Sequence, residues 1–186
     1  KDGEGTEGAT KTGYYLKKYM NETVSLDPSK PVTKEHHYIL FRYAEILLNY
    51  AEAMVNAYGD PDYTGSYSLS ARDAVNQVRN RGDVKMPAYP TDMKKDAFLK
   101  RLRNERRVEF AFEDNRFFDA RRWAKAEEWF SKPVYKVTVT GSLENPTYTR
   151  SLLEERIFLS KCYHFPIPQQ EVAKVIGQIE FDRAQL

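Results

Sequence analysis

The segment His36–Tyr58, HHYILFRYAEILLNYAEAMVNAY, decides the fold. Its apolar positions Ile39, Leu40, Tyr43, Leu47, Tyr50, Ala51, Met54 and Ala57 recur at spacings of three and four, the stripe of an amphipathic helix. Gly59, Asp60 and Pro61 end it, because glycine and proline both disfavour continuation of a helix. A second helix is predicted from Ser70 to Arg81, opened by Ser70 and Asp73 at capping-box spacing and closed by Gly82. Its buried stripe is Ala71, Ala74, Val75 and Val78. Two helices joined by a loop, with small alanines where they cross, make a tetratricopeptide-like helical hairpin that leaves apolar surface on its outer face and wants another layer.

Working outward, Thr91 or Asp92 can cap a third helix running to about Phe112, with Phe98, Leu99, Leu102, Val108, Phe110 and Phe112 as its apolar set. A break at Asp114 and Asn115 leads to a fourth helix, Arg116 to Phe130. Val134 to Thr140 alternates and is rich in β-branched residues, so it reads as a strand, followed by a turn from Gly141 to Pro146. The aromatic segment Tyr14 to Tyr19 has strand character, and the two are expected to form a small antiparallel β element. Tyr163 to Pro168 must be extended around its prolines, with a short last helix from Gln169. Residues 1–11, rich in glycine, threonine and charge, read as a flexible lead-in and a cut end; residues 12–186 read as one domain, mostly α.

Composition narrows the class. At 186 residues, 41% hydrophobic and 30% charged, the chain has the make-up of a globular domain with a sizeable core. A net charge of +2 lacks the concentrated basic face that phosphate neutralisation demands, which argues against nucleic acid as a partner. Cys162 stands alone, so there is neither an intramolecular disulfide nor a thiol cluster for a metal. No apolar run approaches the ~20 residues of a membrane span, so any lipid anchor is expected upstream of Lys1.

The densest charge is Lys100-Arg101-Leu102-Arg103-Asn104-Glu105-Arg106-Arg107-Val108-Glu109, continuing to Arg116, Asp119, Arg121 and Arg122. Glu105 and Glu109 sit one turn apart on a helix face and could pair as acid and base. Arg101, Arg106 and Arg107 surround them and stabilise negative charge, the wrong direction for a general acid. The favoured reading is a structural ion-pair network of Glu105, Arg106, Arg107, Glu109, Arg116, Asp119 and Arg122, in which guanidinium forks lock neighbouring helices. His36, His37 and His164 have no metal-ligand spacing, and neither a nucleophile elbow nor a phosphate loop occurs. No cofactor is expected, and the protein reads as no enzyme. Tyr63, Tyr67, Tyr89 and Tyr148 are the candidate ligand-contacting aromatics, since loops carry recognition and flat rings stack on sugars. Trp123 and Trp129 could share that role, although packing is the commoner fate of a helix tryptophan such as Trp123.

Several blocks, taken in order, go further. Thr12-Gly13-Tyr14-Tyr15-Leu16-Lys17-Lys18-Tyr19, Ile39 to Ala53, Ala74 to Arg81, Asn104 to Glu113, Arg116 to Trp123 and Phe165 to Glu171 together resemble the C-terminal half of the SusD/RagB family of surface nutrient-binding lipoproteins. Ala120 stands where leucine is common, and Ile176 to Leu186 departs from the family's Asn-Pro-rich ending. The resemblance implies a SusD-like fold without catalysis, lipid-anchored at the outer-membrane surface, the anchor and the family's N-terminal half lying upstream of this chain. It implies capture of an oligosaccharide or other nutrient and delivery to a SusC-like TonB-dependent transporter. The rival expectation is a helical-repeat scaffold that binds a peptide or protein.

Overall fold

The computed structural model describes residues 7–82 and 84–175. These form two compact units, one of Leu16–Arg116 and one joining the residues up to Tyr15 with those from Phe117 onward.

The Leu16–Arg116 unit is helical. Helices α1 (Tyr43–Tyr58), α2 (Ala71–Arg79) and α3 (Lys95–Glu109) share one core. Leu47, Leu48, Ala51, Met54 and Val55 of α1 meet Ala71, Ala74, Val75 and Val78 of α2 and Phe98 and Leu102 of α3, with Tyr89 and Phe110 completing the cluster. Ala51, Ala71 and Ala74 are fully buried. Their missing side-chain bulk lets backbones approach, while each large side chain buried here contributes about 1.5–3 kcal/mol.

The boundaries differ from the periodicity in ways the contacts explain. α1 starts at Tyr43, not His36: Arg42 is its N-cap, in extended conformation, and Tyr38, Ile39, Leu40 and Phe41 before it are non-helical and exposed. α2 opens with the expected capping box, Ser70 Oγ accepting from Asp73 N–H while Asp73 accepts from Ser70 N–H. It ends on Asn80 rather than at Gly82. α3 starts at Lys95, not beside Thr91, because the carbonyls of Pro90, Thr91 and Met93 turn to the guanidinium of Arg72. It stops at Glu109, after which Phe112 and Asp114 both take positive φ.

The other unit corrects two expectations. The fourth helix is two, α4 (Asn115–Arg122) and α5 (Ala126–Phe130). Ala124 takes φ +52, its N–H bonds Arg121 C=O at 2.9 Å, and Lys125 N–H bonds Ala120 C=O at 2.8 Å. That is a Schellman ending with alanine in the position glycine usually fills. The β element is a hairpin of β1 (Val134–Gly141) with β2 (Pro146–Glu154), antiparallel, Val139 opposite Tyr148 and Gly141 opposite Pro146. Tyr14 to Tyr19 is not a strand: it is largely exposed, turns at Met20 N–H to Lys17 C=O, and has Tyr19 at φ +69. The residue two places before it meets the sheet, where Val137 N–H bonds Thr12 C=O at 2.9 Å. Gly13 lies so close to the Val137 carbonyl that a Cβ there would clash.

Ala120, Ala126 and Phe158 form the small core of this unit, covered by Trp129, Phe130, Cys162 and Tyr163. A 3-10 turn, Ser160–Tyr163, precedes an extended stretch, and residues 169–175 are helical as expected. Most of the predicted lead-in and the unusual ending from Ile176 lie outside the described residues.

Candidate functional site

Two arrangements in the Leu16–Arg116 unit bear on function: a set of charged struts, and an aromatic loop whose sequence runs on into the lining of a cleft.

The struts begin with Arg42. Its Nη1 donates to Glu109 Oε1 at 2.5 Å, its Nε and Nη2 to the two Glu113 carboxylate oxygens at 2.7 and 2.9 Å, and Nη2 also to the Glu109 carbonyl at 2.8 Å. The same guanidinium lies 4.6 Å over Phe110. Lys18 Nζ joins them, donating to Glu113 and to the carbonyls of Glu109 and Ala111. Burial alone would raise the Glu113 pKa, but the hydrogen bonds from Arg42 and Lys18 overcome it and hold the carboxyl below its ordinary value. Arg81 Nη1 takes the other Glu109 oxygen at 2.8 Å. Arg79 Nη1 donates to Glu105 Oε2 at 2.5 Å and its Nε to the Pro87 carbonyl. Arg106 reaches from α3 to Asn49 on α1 at 2.6 Å. Glu105, Arg106 and Glu109 therefore lie where cationic or amide groups from other segments meet them: Glu105 binds Arg79, whereas Glu109 binds both Arg42 and Arg81.

The remaining residues of the predicted network are placed elsewhere. Arg107 is exposed and donates to Asn104 on its own helix. Arg116 is half-buried at the start of α4. Asp119 and Arg122 pair along α4, Nε to Oδ1 at 2.8 Å, in the other compact unit. Arg42, Arg72, Arg79, Lys18, Glu113 and Asp62 were not singled out from the sequence. A lone arginine inside the apolar run Ile39 to Leu48 is the signal that could have found Arg42, since a cation there needs an anion.

Of the four candidate tyrosines, Tyr89 is corrected outright: it is 2% exposed, its ring meets Phe98 edge-on and its hydroxyl donates to Glu105. Burial first, then the neighbouring Glu105 charge, pushes its hydroxyl pKa far up. Tyr148 is 68% exposed but sits on β2, not in a loop. Tyr63 and Tyr67 are 38% and 46% exposed in the loop between α1 and α2. They meet at Tyr58, the last residue of α1. Tyr63 stacks on Tyr58 with centroids 4.1 Å apart and planes at 23°, and the Tyr58 and Tyr67 hydroxyls share a hydrogen bond of 3.2 Å. Trp123 and Trp129 are half-buried and pack edge-to-face on each other.

The loop is fixed at both ends. Gly59 adopts φ +78 and ends α1, and Gly65, at φ +51, touches the Tyr63 ring where a side chain would collide with it. Asp62 takes a two-point bond from Arg72 Nε and Nη2, and that pairing draws its carboxyl below the usual range. From Ser68, next after Tyr67, an open cleft of about 720 Å³ begins, lined by Leu69, Asp73, Asn76, Gln77, Asn80, Met86 and Ala88. Asn76 Oδ1 is used by the Tyr89 N–H.

Among the described residues no group of three or more His, Cys, Asp or Glu side chains gathers as a metal site, and no helix is long and apolar enough to cross a membrane. His36 meets the Tyr19 ring edge-on.

The class that this architecture defines is a mostly helical module carrying a small antiparallel hairpin. The chain belongs to the SusD family, whose model matches residues 1–180. It is similar to the crystal structure of a SusD-like protein from Bacteroides fragilis NCTC 9343, with 30% sequence identity and a TM-score of 0.59. That match covers 72% of this chain and 23% of the Bacteroides chain, so the chain spans about a quarter of the length of its solved relative. Among curated proteins nothing matches.

Proposed function

We propose that this chain is part of a lipid-anchored protein at the outer-membrane surface that captures a nutrient glycan and passes it to a SusC-like TonB-dependent transporter, without chemistry on the glycan. The observation that carries the reading is membership of the SusD family over residues 1–180. The state of the acidic residues supports it: Glu105, Glu109 and Glu113 accept bonds from Arg79, Arg81, Arg42 and Lys18, an arrangement that suits struts between segments more than proton transfer. The test uses the protein as its source secretes it, titrated calorimetrically with a panel of oligosaccharides and then recovered from detergent-solubilised outer membranes. Saccharide affinity together with co-purification of a large barrel protein is the expected result. Absence of both overturns the proposal.

A helical scaffold for a protein or peptide is the second reading. It draws on the exposed apolar run Tyr38, Ile39, Leu40 and Phe41, continued on α1 by Tyr43 and Ile46. Peptide affinity without saccharide affinity would select it.

A further inference from the structure

We propose that Tyr58, Tyr63 and Tyr67, together with the amide-lined cleft that begins at Ser68, form a contact site for a neutral oligosaccharide; this rests on the glycan-capture reading above. Three observations carry it.

The aromatic surface is built before any ligand arrives. Tyr63 is held against Tyr58 by stacking and by the tight Gly65 turn, Tyr67 by its hydroxyl bond to Tyr58. Arg72 fixes the loop beneath them through Asp62 and is itself held by the carbonyls of Pro90, Thr91 and Met93. Tyr50 secures the far end, its hydroxyl bonding the Leu69 carbonyl at 2.5 Å. A platform that needs no ordering loses less entropy on binding, and rings left more than a third exposed in a fixed loop offer flat faces to the C–H face of a pyranose.

The cleft supplies the complementary polar groups. Asp73, Asn76, Gln77 and Asn80 fall at i, i+3, i+4 and i+7, so α2 and its cap turn one polar face into it. Asn76 spends its carbonyl oxygen on Tyr89 N–H, which leaves its NH2 group as a donor, while Gln77 and Asn80 carry a donor and an acceptor each. Paired donors and acceptors of this kind match the hydroxyls of a sugar. The volume lies in the ~300–1,000 Å³ range of small-molecule sites.

The charge selects the class. Among the described residues lining the cleft, Asp73 is the one ionisable side chain and none is a lysine, arginine or histidine. A uronate or sulfated sugar would meet a carboxylate and no cation, so the site favours uncharged sugars.

The experiment titrates the full secreted protein with hexose-only oligosaccharides and with uronate-containing ones of equal length. Wild type is expected to bind the neutral series. Tyr63→Ala and Tyr67→Ala should each weaken it roughly five- to tenfold, Gln77→Ala with Asn80→Ala should weaken it comparably, and Tyr63→Phe, which keeps the ring, should recover most of the affinity lost in Tyr63→Ala. Melting curves confirm that each variant is folded. Neutral-glycan affinity unchanged in the folded Tyr63→Ala, Tyr67→Ala and double amide variants overturns this site while leaving the glycan-capture reading intact. Preference for uronates overturns the proposed class, and no saccharide affinity in wild type overturns both.

Discussion

Arg72 and Asp62 form a two-point pair, Nε to Oδ1 at 2.6 Å and Nη2 to Oδ2 at 2.9 Å, that ties the tyrosine loop to α2. The partners differ in burial: the Arg72 side chain is 5% exposed and that of Asp62 49%. Loss of the arginine strands three carbonyls and opens a cavity, whereas loss of the aspartate charge is partly made good by water. Arg72→Ala should therefore cost about 2–4 kcal/mol and Asp62→Asn about 1 kcal/mol. Arg72→Lys should recover only part, since an ammonium cannot reproduce the fork. Urea midpoints at constant slope measure all three.

Glu113 has its carboxyl pKa depressed in the folded state, against its own burial, by Arg42 and Lys18. A depressed carboxyl adds stability that is present above the unfolded value of about 4.3 and disappears as pH falls through the lower folded value. Wild type should lose stability between about pH 5 and pH 3 more steeply than Glu113→Gln, which is weaker at neutral pH but flatter in acid. Unfolding midpoints across that range decide it.

Ala124 holds a left-handed conformation at the end of α4, φ +52, where its N–H bonds Arg121 and the next N–H bonds Ala120. Glycine pays no steric cost there, so Ala124→Gly should stabilise the chain by roughly 0.5–1 kcal/mol once the greater freedom of unfolded glycine is subtracted. The check is thermal melting of the two proteins.

Tyr38, Ile39, Leu40, Phe41, Tyr43 and Ile46 are each more than half exposed and close in sequence. Apolar surface of this extent associates. Light scattering of the 186-residue chain by itself should show self-association, and Ile46→Lys should raise the monomer fraction.

The core was legible because α1 and α2 obey helical periodicity and the Ser70 and Asp73 cap is a local device. Helix ends set by distant partners were not. Nothing in the neighbourhood of Thr91 announces that Arg72, on another helix, will take the carbonyls of residues 90–93, and nothing near His36 announces that Arg42 must stay extended to reach Glu109 and Glu113. Ala124 broke a predicted helix because a left-handed alanine has no signature in composition. β2 has little signal of its own, because Arg150 and the adjacent Leu152 and Leu153 break the alternation of Pro146 to Glu154 and nearly every residue in it is exposed. The site was read less well than the fold. Tyr63 and Tyr67 lie together, but the sequence shows neither that Tyr58 organises them nor that Tyr89 faces inward to Glu105.

Capture without chemistry is tested most directly by incubating the full-length protein with each oligosaccharide of the panel and separating the products by chromatography. The saccharide should be recovered whole, with Glu105→Gln lowering the melting temperature through loss of charge opposite Arg79 and leaving no turnover to abolish. Cleavage products that form with wild type and vanish in a folded Glu105→Gln variant would contradict it.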